Sequence, residues 1–219
     1  MNVRSNCKGE DTMKKLGLVA ALCLLCSQPA FAMVPLTPNA VQSAQAYGVE
    51  RKGASLSEVL APWTVYDRKQ MNPYGLRERV VVYTPYLTAA VDARSTANNG
   101  DTPTVDQGMK VAKQYDGVLA LGVNLSTTVK LEANKLKVKL YQGQNVLTPY
   151  YVNLNSASQR DMQVLDKDSG ELQDANVWDL EYYVYFDLSK VNPAKPMVMN
   201  AYDEYGGTRQ FVLNLANMN

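Results

Sequence analysis

The sequence predicts an α+β protein with a helical N-terminal region packed on a C-terminal antiparallel β-sandwich. Three observations carry that expectation. Between Pro38 and about Gly117 the apolar residues recur mostly at helical spacing. From Val118 onward the period changes to two, through several short strands with no helical stretch between them. Ahead of both lies a segment that reads as a leader, so the expected division is 1–32, an N-terminal extension with a cleaved secretory signal peptide; 33–117, mainly helical; and 118–219, the sandwich.

The leader reading rests on three parts in order. Lys14 and Lys15 precede an eleven-residue apolar run, Leu16 to Cys26, and a short polar piece ends in Ala30-Phe31-Ala32. A permanent membrane helix takes ~20 apolar residues, so the run is expected to be removable, with no transmembrane anchor. Cleavage after Ala32 would leave Met33 first, and Met13 is an alternative start, because Glu10 and Asp11 sit oddly ahead of a signal. Cys23 and Cys26 have the spacing of a dithiol, but both lie inside the segment expected to be cut away. A lipoprotein reading would need a small residue before the cysteine, where Leu22 and Leu25 stand.

In the helical region Ser55 and Glu58 have capping-box spacing, with Leu56, Val59, Leu60 and Trp63 following at helical intervals. Pro62 should break that helix near Ala61. Thr84-Pro85 reads as an N-cap with proline in the first turn, after the strand-like run Val80 to Tyr83. Val105, Met109, Ala112 and Tyr115 form a last helix that Gly117 is placed to end.

In the strand region Leu119, Leu121, Val123 and Leu125 alternate with Ala120, Gly122, Asn124 and Ser126, the pattern of a strand buried on one face. Leu136, Val138 and Leu140 alternate with Lys135, Lys137 and Lys139, and a turn at Gly143 leads toward Tyr150, Val152 and Leu154. The most regular stretch sets Trp178, Leu180, Tyr182, Val184, Phe186 and Leu188 on one face, opposite Asp179, Glu181, Tyr183, Tyr185 and Asp187. Two further strands flank Gly206-Gly207, with Phe211, Leu213 and Leu215 facing in. The arrangement is immunoglobulin-like by analogy of architecture, and such an architecture does not by itself imply a function.

Composition narrows the chemistry. Without the leader the chain has 187 residues, 18 Lys+Arg, 19 Asp+Glu, no histidine and no cysteine. That near-neutral balance offers no long-range attraction to nucleic acid. No disulfide can staple the fold, and no imidazole or thiolate can act as nucleophile, general base or metal ligand, so no cofactor is expected. Carboxylates, lysine, tyrosine, serine and threonine remain, which points away from an enzyme except of the glycosidase kind.

Two candidate sites follow, each with a plainer alternative. Outward Tyr183 and Tyr185, flanked by Asp179, Glu181 and Asp187, have the makings of an aromatic platform for a sugar ring or a peptide. Alternatively those tyrosines cover a neighbouring element, and the acids face Lys135, Lys137 and Lys139 across the sheet. Asp166, Asp168, Glu171 and Asp174 cluster in a loop with the oxygen chemistry of a calcium site, or form only a solvated turn on Ser169-Gly170. Glu181, Asp203 and Glu204 show no spacing that singles out an acid and its partner, and Asn124-Leu125-Ser126 is a glycosylation sequon only in a eukaryotic secretory route. The expected function is therefore a non-enzymatic extracytoplasmic recognition protein, periplasmic or extracellular, of bacterial character, binding an envelope protein or glycan. The alternatives are a carboxylate-dependent glycan hydrolase and a structural subunit of an envelope assembly joined through a strand edge.

Overall fold

A computed structural model describes residues 35–68, 77–165 and 169–218. The leader expectation therefore lies outside the described residues. Four α-helices and two antiparallel sheets make up the described part, an α+β architecture.

Local signals place the helices. α1 (Pro38–Glu50) begins at Thr37, whose hydroxyl accepts the Ala40 N–H at 3.2 Å. α2 (Leu56–Leu60) carries the expected capping box: Ser55 N–H donates to Glu58 Oε2 at 2.7 Å and Glu58 N–H to Ser55 Oγ at 3.3 Å. As Pro62 requires, the α-helix stops at Leu60 and a 3-10 turn, Ala61–Trp63, takes over. α3 (Pro85–Asn98) and α4 (Val105–Lys113) start from Thr84 and Thr104, whose hydroxyls accept the Leu87 and Gln107 N–H groups. Gly117 does not end α4, which stops at Lys113; at φ +73° it turns the chain into the next strand.

Glycine sets how closely these helices pack. A Cβ on Gly48 would run into the Ala90 carbonyl oxygen, and one on Gly108 into Val41 and Gln45. The close approach lets Val41, Ala44, Ala89, Ala90 and Ala112 form a small core of their own. Larger side chains, Leu60, Trp63 and Leu87, join the main core. Among the described residues no helix is long and apolar enough to cross a membrane.

The strands are β1 (Thr64–Tyr66), β2 (Arg79–Tyr83), β3 (Val118–Thr127), β4 (Leu136–Gln142), β5 (Asn145–Leu147), β6 (Tyr151–Leu165), β7 (Leu172–Asp187), β8 (Met197–Asp203) and β9 (Thr208–Leu213). One sheet has the order β1-β2-β3-β7-β6 and the other β5-β4-β8-β9. β1 and β2 precede the change of period at Val118, yet they share a sheet with β3. One hydrophobic cluster holds Val80, Leu121, Tyr182 and Phe186 of the first sheet with Val138, Met199 and Phe211 of the second. Just past β1, Arg68 N–H donates to the Gln210 carbonyl of β9 at 3.0 Å, and Asp67 Oδ1 accepts the Gln210 N–H at 2.7 Å. These bonds stitch the two sheets at that edge.

Several strand expectations change in detail. β3 is buried on both sides from Leu119 to Val123, because Gly122 lies under the ring of Tyr83 and Ala120 between tyrosine-bearing strands. The Gly143 turn leads first into β5, which pairs back onto β4, before the chain crosses to the other sheet as β6. On β7 the residues Leu180, Tyr182, Val184 and Phe186 face the core as expected, but Val177 is buried and Trp178 only half-buried. β3 pairs with β7 only as far as Trp178, so beyond that point the strand has lost the neighbour that imposes the alternation. Leu188 has left the strand for a 3-10 turn.

Candidate functional site

The outward face of the first sheet brings four strands into register around the acids and tyrosines of β7. Asp179 lies between Ser126 of β3 and Ser158 of β6, and Glu181 between Asn124 and Ser156. One step further, Tyr183 lies between Gly122 and Asn153, and Tyr185 between Ala120 and Tyr151. β2 adds Arg79 beside Asn124 and Tyr83 beside Ala120. Alternation alone explains this grouping, since residues two apart on a strand share a face and paired residues across strands stand side by side.

At the polar end these residues line a groove of about 340 Å3, entered also by Arg77. Asp179 has both oxygens engaged, Oδ1 accepting from Ser126 Oγ and Oδ2 from Arg160 Nε, each at 2.7 Å. Glu181 is held differently. A bulge in β6 between Leu154 and Ser156 aims Asn155 at it, so that Asn155 Nδ2 donates to Glu181 Oε2 at 2.8 Å and Ser156 Oγ stands 3.4 Å away. Among the described residues no cation lies within ion-pair distance of Glu181 and no donor reaches its Oε1.

At the other end the tyrosines form a continuous strip. Tyr83 meets Tyr183 edge-on at 5.7 Å, and Tyr183 lies 6.5 Å from Tyr185. Tyr185 in turn neighbours Tyr151 at 5.7 Å and Tyr150 at 6.3 Å. Small residues on β3, Ala120 and Gly122, make room for the rings on either side. Burial, reinforced by Tyr183 and Glu181, pushes the Tyr83 phenol well above its ordinary value. Burial likewise raises Tyr183 and Tyr185, aided by Glu181 for the first and by neighbouring tyrosines for the second. All three therefore stay neutral at ordinary pH, able to donate a hydrogen bond and unfit to act as phenolate bases.

The remaining candidates are placed as follows. Asp187 ends β7 and caps the following 3-10 turn, accepting from Ser189 N–H at 3.0 Å and Ser189 Oγ at 2.6 Å, which lowers its pKa. The expected pairing of these acids with Lys135, Lys137 and Lys139 does not occur, because the lysines flank or lie on β4 in the other sheet. Lys135 instead reaches Glu204 at 2.6 Å. Of the calcium loop, Asp166 and Asp168 lie outside the described residues, while Glu171 and Asp174 are exposed. Among the described residues no three carboxylates converge as a metal site would need.

Sequence reasoning missed the support beneath the groove. Glu78 is buried, accepting the Ser126 N–H on Oε1 at 3.1 Å and Arg209 Nε on Oε2 at 3.0 Å. Arg209 also pairs with Asp203, whose other oxygen accepts from the Tyr205 and Gly207 N–H groups at 2.9 and 2.8 Å. This chain ties β2 and β3 to the turn between β8 and β9. No local signal marks it, because Glu78 and Arg209 stand 131 positions apart.

No protein-family model, curated protein or solved structure matches this chain.

Proposed function

We propose that the protein is a non-enzymatic recognition protein of the extracytoplasmic space. In this reading the segment 13–32 exports it, and the two sheets stack as an immunoglobulin-like sandwich with one outer face used for binding. The observation that carries the proposal is the continuity of the polar groove at Asp179 and Glu181 with the strip Tyr183, Tyr185, Tyr151 and Tyr150. Aromatic rings beside polar groups are the usual make-up of a binding surface. Tyr150 and Tyr151 are 63% and 52% exposed, more than packing alone calls for.

The hydrolase reading has less support. A glycosidase needs two carboxylates free to act on the bond between them. Here Asp179 and Glu181 stand side by side on one strand, and both oxygens of Asp179 are engaged. Assembly through the edge of β6, the strand that borders this face, is disfavoured by the bulge, which interrupts the edge a partner strand would have to follow there.

Expression of the full chain in a bacterial host tests the export half. N-terminal sequencing of the exported protein should begin at Met33, and retention of the uncut chain in the cytoplasm would contradict it. The exported protein then serves as bait for envelope extracts. Material retained by the parent should be lost from a Tyr151→Ala/Tyr185→Ala variant and kept by Lys137→Ala on the other sheet; equal retention by all three would refute this face as the site.

A further inference from the structure

We infer that the groove and tyrosine strip bind a neutral oligosaccharide, a deepening that rests on the recognition reading above. The charges around the groove exclude the simpler alternatives. Arg77 and Arg79 line it together with Asp179 and Glu181, and Arg160 is bonded to Asp179, so a polycation meets arginines and a polyanion meets carboxylates. Sugar hydroxyls both donate and accept, and conflict with neither sign.

The available partners match that requirement. Glu181 Oε1 is an acceptor with no donor among the described residues, and the carboxylate is held through Oε2 by Asn155 and Ser156. The Asn124 amide and the Ser156 and Ser158 hydroxyls line the same groove from either side of it. A carboxylate fixed by a neighbouring amide is ready to receive a hydroxyl without reorganising.

The strip supplies the apolar half of a sugar site. Successive rings are tilted rather than stacked on one another, by 50° between Tyr183 and Tyr185, 40° between Tyr151 and Tyr185, and 32° between Tyr150 and Tyr185. Rings arranged this way do not cover one another by stacking, and Tyr150 and Tyr151 are exposed to meet the C–H surfaces of pyranose rings. The groove, at about 340 Å3, lies at the low end of the range for small-molecule sites, which suits a short stretch of a chain that continues along the tyrosines. An extended peptide adding to β6 would need an unbroken strand edge, which the bulge at Asn155 denies it.

The test is a printed array of neutral oligosaccharides of the gluco, galacto, manno and N-acetylated series, probed with the full chain. Pentalysine and pentaglutamate serve as charged peptide controls, and calorimetry follows on any hit. The expected result is binding to a neutral glycan that persists when salt is raised, because no net charge is screened. Glu181→Ala and Tyr185→Ala should each weaken it by about tenfold or more. Tyr151→Ala, at a mostly exposed position, should weaken it without lowering the melting temperature, and Lys137→Ala should leave it unchanged. If a charged peptide binds instead and is lost on the same substitutions, the recognition face stands and the sugar inference falls. If no neutral glycan binds, the inference also falls. If one binds equally to parent and all face variants, both the inference and the proposed face are wrong.

Discussion

Phe186→Ala is expected to lower stability by about 3 to 5 kcal/mol, the range for emptying a buried aromatic position. Phe186 is 1% exposed and lies in the cluster shared by both sheets, paired across to Leu119 of β3. The same strand turns Tyr185 and Asp187 to the other face, so the substitution also tests which way β7 faces. Urea denaturation with a two-state fit measures it. A loss below about 1 kcal/mol would put Phe186 outside the core and the tyrosine strip inside it, reversing the account of the site.

Arg209→Ala should be similarly damaging, by about 3 to 5 kcal/mol, because it leaves two buried carboxylates without their cation. The side chains of Arg209, Glu78 and Asp203 are 11%, 6% and 6% exposed, so both carboxylates are largely withdrawn from bulk water. Glu78→Gln should cost less, since the amide keeps one acceptor oxygen for either the Ser126 N–H or Arg209 Nε, though not for both. The network also sets a pH dependence. Burial alone would raise the Asp203 pKa, but the hydrogen bond and charge of Arg209, with the Gly207 and Tyr205 N–H groups, outweigh it and hold the group below its ordinary 3.8. A carboxyl whose folded pKa is depressed contributes stability that is present above its unfolded pKa and lost as pH falls through the folded one. The melting temperature should therefore fall as pH drops below about 4, and less steeply in Asp203→Asn. A parent and variant with the same acid slope would show that Asp203 is not held this way.

How much of this was legible in the sequence depends on how local each feature is. The caps at Ser55 and Thr84, the break at Pro62 and the outward set Asp179, Glu181, Tyr183 and Tyr185 were all readable, since each is decided within a few residues. Strand neighbours were not. That β3 sits between β2 and β7, or that Tyr83 folds over Gly122, depends on pairings between distant segments to which periodicity is blind. The small residues Ala120 and Gly122 were read as an outward face; in the sheet they make room for the rings. The lysines of β4 looked like partners for the acids of β7 only because both alternate, whereas the topology assigns them to different sheets. Asn155 was unreadable for another reason, because a bulge leaves no mark in a two-residue period beyond a single slipped step.

Amide hydrogen exchange of the full chain, with and without the material it retains from an envelope extract, tests the central claim most directly. New protection is expected along the paired segments 151–158 of β6 and 179–185 of β7, with β4 and β8 unchanged. Protection confined to β4 and β8, or none anywhere in the first sheet, would contradict a binding site on this face.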